Sequence, residues 1–247
     1  MGLQKLLTLV HSACGAYLDV ERELNARGLR LFLFGSHFTF SRPLFDRAAI
    51  DFPMRQRSSL VGVGRTSMDF YRVLETADSQ SMVLLSGVIR VVCMDLARGI
   101  SVPLPDTTTK WRLSSALPPA ARHFPRVEVP ESAPVRSFST SIKIQYDDID
   151  FNWHTNQAAY TAFAMECAAQ AVAAAYYSHI RDDIAFYPAL SLTCVHLAES
   201  FAADKLDVST WEDVTNAMLL HFLVKRQQQR ICYIKIDFDE RTIASKL

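Results

Sequence analysis

The sequence has no surplus of charge, no paired-cysteine motif and no apolar run long enough to cross a bilayer. Lys and Arg number 26 against 26 Asp and Glu, so the formal net charge is zero, and no block of like charges stands out. That removes the electrostatic footprint of a nucleic-acid binder or of a polybasic membrane-surface protein. The five cysteines, Cys14, Cys93, Cys167, Cys194 and Cys232, are odd in number, widely spaced and without C-x-x-C steps. Such spacing argues against a disulfide framework or a zinc site and fits a reducing compartment. Glu166 and Gln170 interrupt the one long Ala-rich segment, well short of the roughly 20 residues a membrane span requires.

What is present is core-forming material. Of 247 residues, 49% are hydrophobic and 11% aromatic, enough for one large globular domain or two small ones. The first stretch, MGLQKLLTLVHSACGAYLDV, has the outline of a short signal peptide. The same residues read better as an amphipathic helix, and Leu6 stands where a myristoylation signal wants Ser or Thr. Apolar residues at three- and four-residue steps carry that helix from Leu3 to about Arg27, and Gly28 suits its C-cap.

Segments rich in β-branched and aromatic residues follow at Leu29 to Phe40, more weakly around Leu44 to Ile50, then at Ser59 to Leu74 and Met82 to Leu96. Residues 114–136 hold five of the ten prolines and read as a semi-extended linker. Beyond it, Phe138, Thr140, Ile142, Ile144 and Tyr146 alternate with polar residues, as on a strand with one wet face. A helix with Tyr160, Phe163, Ala164, Cys167, Ala168, Ala171, Val172 and Ala175 on one face comes next, its alanines permitting close approach. Four more strands are expected at Pro188 to Glu199, Leu206 to Glu212, Ala217 to Lys225 and Ile231 to Phe238.

Both halves thus run helix, then four strands, and the shared order points to an ancient duplication. The expected organisation is a first unit over 1–113, a linker over 114–136, a second unit over 137–240 and a tail over 241–247. Only the second half has a strand before its helix. Between that strand and helix stands the polar cluster Asp148-Ile149-Asp150-Phe151-Asn152-Trp153-His154-Thr155-Asn156.

A strand, a polar corner, a long buried helix and four antiparallel strands resemble the hotdog fold, in which a sheet wraps around a helix. Two units in one chain resemble the double-hotdog arrangement, the first unit here lacking its opening strand. The fold class is α+β. The corner through Tyr160 is similar to the D-x-D-x-N-x-H-x-N-N-x-x-Y signature of acyl-ACP and acyl-CoA thioesterases, departing from it at Gln157. The resemblance implies a thioester hydrolase acting on fatty acyl-CoA, with no cofactor and no metal. Asp150, Asn152 and His154 are then catalytic, joined through the looser match Leu192 to Glu199 by Glu199, while Asn156 and Tyr160 contact substrate.

The chemistry suits those residue types. Thioester hydrolysis needs an activated water or a carboxylate nucleophile, a proton acceptor and donors for the developing oxyanion. On an extended corner, alternation would turn Asp150, Asn152 and His154 to one side. Unpaired N–H groups at the start of the following helix would polarise the carbonyl. Two other readings compete. A peroxisomal hotdog enoyl-CoA hydratase carries D-x-N-P-x-H, but here His154 comes one residue early and Trp153 replaces the Pro. A non-catalytic acyl-CoA-binding hotdog is the other reading, and for it Asp and Asn before a helix are ordinary turn and capping residues. The remaining histidines read as structural. The last residues, Ser245-Lys246-Leu247, spell the address read by the peroxisomal import receptor. A peroxisomal acyl-CoA thioesterase is therefore expected, without nucleic-acid partners or a membrane span. A double hotdog serves either as a lone pseudo-dimer or as half of a homodimer.

Overall fold

The computed structural model describes residues 18–45, 53–77, 81–95, 97–105, 123–150 and 153–240. Its described residues fall into two compact units, one up to Arg126 and one from Val127 onward. Much of the first expected helix lies outside the described residues, as do Asn152 and the Ser245-Lys246-Leu247 tail.

In the first unit, helix α1 (Leu18–Asn25) ends at Gly28, whose φ of 70° places it in the left-handed region that suits a helix C-cap. Leu24 of α1 is fully buried. Strands β1 (Leu29–Phe40), β2 (Met54–Val63), β3 (Ser67–Thr76), β4 (Val83–Asp95) and the short β5 (Ile100–Ser101) follow. They pair antiparallel in the order β2-β3-β4-β1, with β5 on β4.

Two expectations change here. Ser59 to Leu74 is not one strand but the facing arms of a β2–β3 hairpin, closed where Gly64 N–H donates to Ser67 O at 2.8 Å. Apolar residues on both sides of the turn made it read as continuous. Leu44 sits in a 3-10 turn (Arg42–Phe45), not a strand, because Pro43 has no N–H to give a ladder. Residues 46–50 of that expected strand lie outside the described residues.

In the second unit, β6 (Phe138–Lys143) leads through a 3-10 turn (Tyr146–Asp148) to helix α2 (Gln157–Ala173). Strands β7 (Ala189–His196), β8 (Lys205–Glu212), β9 (Leu219–Arg226) and β10 (Gln229–Phe238) complete an antiparallel sheet ordered β7-β10-β9-β8-β6. The opening strand is shorter than its alternation predicts: Ile144 is still buried, but Tyr146 has entered the turn and is 71% exposed.

Alanines set how closely α2 lies on the sheet. Ala164, Ala168 and Ala171 are fully buried, and Cys167 Sγ reaches Val208 O on β8 at 3.3 Å. Nothing larger than a methyl group holds the helix away at those positions. Ala175 departs from the expected stripe, because α2 has ended: it is exposed, with φ of 52° in the left-handed region. Past the helix, Tyr177 is buried and shares a 2.7 Å hydrogen bond with Thr210. That bond ties the end of α2 to β8.

Candidate active site

The site is built at the joint between the 3-10 turn and α2. Ile149 and Thr155 form an isolated antiparallel bridge, and inside it Asp150 N–H donates to His154 O at 2.8 Å while Trp153 N–H donates to Asp150 O at 3.0 Å. Trp153 takes φ of 66°, the left-handed conformation that lets the chain double back. Asp150 and His154 are therefore bonded across a closed turn and do not lie along the extended run expected of them; Asn152 lies outside the described residues. Closure brings positions 150 and 154 together instead: Asp150 Oδ1 stands 3.4 Å from His154 N.

Beneath this turn the loop after β7 is stitched to the start of α2. Ser200 O accepts from Thr155 N–H at 2.8 Å and from Thr155 Oγ1 at 2.9 Å, and Ser200 Oγ lies 2.8 Å from both Thr155 Oγ1 and Tyr160 Oη. All three residues are buried. The stitch fixes where Glu199 points: its Oε1 lies 3.5 Å from His154 Nδ1, and Phe201 meets the His154 ring edge-on at 5.3 Å. His154 is 29% and Glu199 48% exposed at the side chain, so the pair stands at a mouth that solvent reaches.

Of the two residues expected to bind substrate, Asn156 is the N-cap of α2. Its Oδ1 accepts from Ala158 N–H at 2.9 Å, and its own N–H donates to Asp148 O at 2.7 Å. The Tyr160 hydroxyl is held by Ser200, and burial raises its pKa. Both residues hold the corner in shape. Asp150 Oδ1 therefore faces the His154 amide, while Glu199 faces the His154 ring.

Two clusters escaped the sequence. Below Tyr160, on the sheet face toward α2, Cys194 Sγ lies 3.4 Å from His196 Nε2 and 3.3 Å from Cys232 Sγ. The Cys194 thiol is lowered by the hydrogen bond from Cys232 and by His196, while burial raises Cys232. A Cys-x-His step in β7 was the only local signal. On the outer sheet face, His221 donates or accepts at both ring nitrogens, 2.7 Å from Tyr233 Oη and 3.0 Å from Asp213 Oδ2, and Trp211 stacks on it at 5.4 Å. This cluster lines a groove of about 780 Å³ with Tyr176, Pro130 and Pro134.

A buried helix embraced by an antiparallel sheet, with a polar corner at the helix start, is the hotdog unit, and the chain carries the double-hotdog fold. Solved structures bear this out at low identity. An acyl-ACP thioesterase from Bacteroides thetaiotaomicron superposes with a TM-score of 0.71 at 15% identity, covering 97% of this chain and 90% of that one. A 12:0-ACP thioesterase from Umbellularia californica gives 0.68 at 13% identity, covering 98% and 87%. A tesB protein of Mycobacterium avium subspecies paratuberculosis gives 0.52 at 12%, covering 97% and 87%. No family model and no curated protein matches the sequence.

Proposed function

We propose that the protein is a thioester hydrolase that converts fatty acyl-CoA and water to free fatty acid and CoA. The observation that carries this reading is the His154–Glu199 pair at the solvent-reached corner that opens α2, with Asp150 Oδ1 beside the His154 amide. The double-hotdog frame, shared with solved thioesterases, supports it. In this scheme His154 or Asp150, directly or through Glu199, takes one proton from the attacking water, and Asn152 orients that water. The water oxygen bonds to the thioester carbon, the C–S bond breaks, and the proton passes to the departing CoA sulfur. Ala158 and Ala159 N–H already donate to Asn156, so the carbonyl oxygen falls to the Gln157 N–H at the positive end of the helix.

The terminal Ser245-Lys246-Leu247 supports delivery to peroxisomes through the import receptor. A fluorescent fusion should give a punctate pattern that becomes diffuse when Leu247 is deleted.

The reaction class is tested with a substrate panel. Purified protein is offered saturated acyl-CoA of graded length, the matching acyl-ACP, and a 2-enoyl-CoA. Thiol release from the saturated esters is the expected result. Water addition to the enoyl ester without thiol release would instead mark a hydratase, and binding without turnover an acyl-CoA carrier.

A further inference from the structure

We propose that Cys194, His196 and Cys232 form a binding site for one thiophilic divalent metal ion of the zinc type, with a fourth coordination position left open. The three donor atoms lie within 4.8 Å of one another. Zinc bonded to sulfur at ~2.3 Å and to nitrogen at ~2.0 Å in a tetrahedron sets its ligands about 3.8 Å apart for two sulfurs and about 3.5 Å for sulfur and nitrogen. The observed separations, 3.3 Å for Cys194–Cys232 and 3.4 Å for Cys194–His196, approach those edges, and an ion would open the first by about half an ångström and the second by about a tenth.

Strand register favours a metal over a disulfide. In the β7–β10 ladder Cys232 faces His196 and Ile234 faces Cys194, so the two cysteines are diagonal neighbours. Diagonal residues have α-carbons roughly 7–8 Å apart, beyond the span a disulfide ordinarily bridges. Two thiolates joined through a metal need no such approach. Cys194 and His196, two residues apart on one strand, face the same way, and the register places Cys232 beside them. Three donors from two paired strands therefore form a preorganised face.

Location favours it as well. Cys194 and Cys232 are buried, as a thiolate pair bound to metal requires for exclusion of competing water, while His196 is only partly so. Tyr160 lies against the His196 ring at 5.6 Å and closes one side of the cluster. Binding releases the two thiol protons to solvent and leaves the fourth position for water or an added ligand. No step of the proposed hydrolysis passes through the ion.

Cobalt(II) provides the test, because thiolate coordination gives a near-ultraviolet charge-transfer band and tetrahedral geometry gives intense visible bands. Reduced full-length protein should take up one equivalent with both signatures, and zinc should displace it. Cys194→Ala and Cys232→Ala should each lose the tetrahedral spectrum, and His196→Ala should weaken uptake at least tenfold. A Cys93→Ala/Cys167→Ala control should keep it. Absence of the charge-transfer band in the wild type would overturn the proposal even if the cysteine variants fail to fold. So would wild-type uptake in folded Cys194→Ala and Cys232→Ala, or a Cys194–Cys232 disulfide found by mass spectrometry in protein alkylated without reduction.

Discussion

His154 is held from three directions: by its backbone inside the Asp150 turn, by Glu199 at Nδ1 and by Phe201 against its ring edge. Glu199→Gln keeps the volume of the side chain but removes its charge. It should reduce turnover by about tenfold to a hundredfold while leaving the melting temperature unchanged, as steady-state rates and a thermal melt would record. Tyr160→Phe addresses the stitch below. Deleting the hydroxyl leaves Ser200 and Thr155 in a buried network with one partner fewer, at a cost of about 1–2 kcal/mol in urea unfolding. The sequence offered Asp150, His154 and Glu199 as candidates because a spaced polar motif survives in one dimension. It did not show Ser200 as the anchor of the corner, since that role exists only once residues 40 and 45 positions apart are bonded.

At the level of elements, strands read well where the letters alternate and poorly where a short turn lies between two apolar arms. β6 and β10 alternate and were legible, whereas the β2–β3 hairpin hid its turn among apolar neighbours on both arms. Gly87 in β4 marks how tightly the first sheet is built: an added Cβ would sit 2.1 Å from His37 O and 2.5 Å from Phe38 Cδ1. Gly87→Ala should therefore destabilise the protein by about 3 kcal/mol, read as a lowered urea midpoint.

The Asp213–His221–Tyr233 cluster gives the second sheet a pH dependence. Burial lowers the His221 pKa below its ordinary value of 6.5, outweighing the hydrogen bond to Asp213 that raises it. Nearby Lys235 lowers it further. The unfolded chain then binds the proton more readily than the folded one, so stability is full above about pH 6.5 and declines as pH falls below it. Hydrogen bonds from Thr215, then those from His221 and Asn216, hold Asp213 below the usual carboxylate range. The stability it contributes is present above about pH 4 and is lost on further acidification. Urea midpoints should fall between pH 7.5 and pH 5.5, and His221→Phe should flatten that slope.

For the whole molecule, the repeat was legible as an order of elements rather than as similar letters, because a hotdog unit constrains hydrophobic period and element sequence far more than residue identity. The candidate chemistry has no such redundancy. It sits in the second unit, where a strand, a corner and a helix follow one another without a break, and the corresponding cluster is missing from the first half of the sequence. The Cys194–His196–Cys232 group shows the converse limit. Its members are 38 residues apart at the extremes and meet only through the β7–β10 register, which the sequence does not encode locally.

The most direct test is thiol release from medium- and long-chain acyl-CoA by the wild type, Asp150→Asn and His154→Ala, each checked for an unchanged thermal melt. Release by the wild type and a loss of about a hundredfold or more in both variants is the predicted result. Wild-type rates in both variants would contradict the assignment of the α2 corner as the site of hydrolysis.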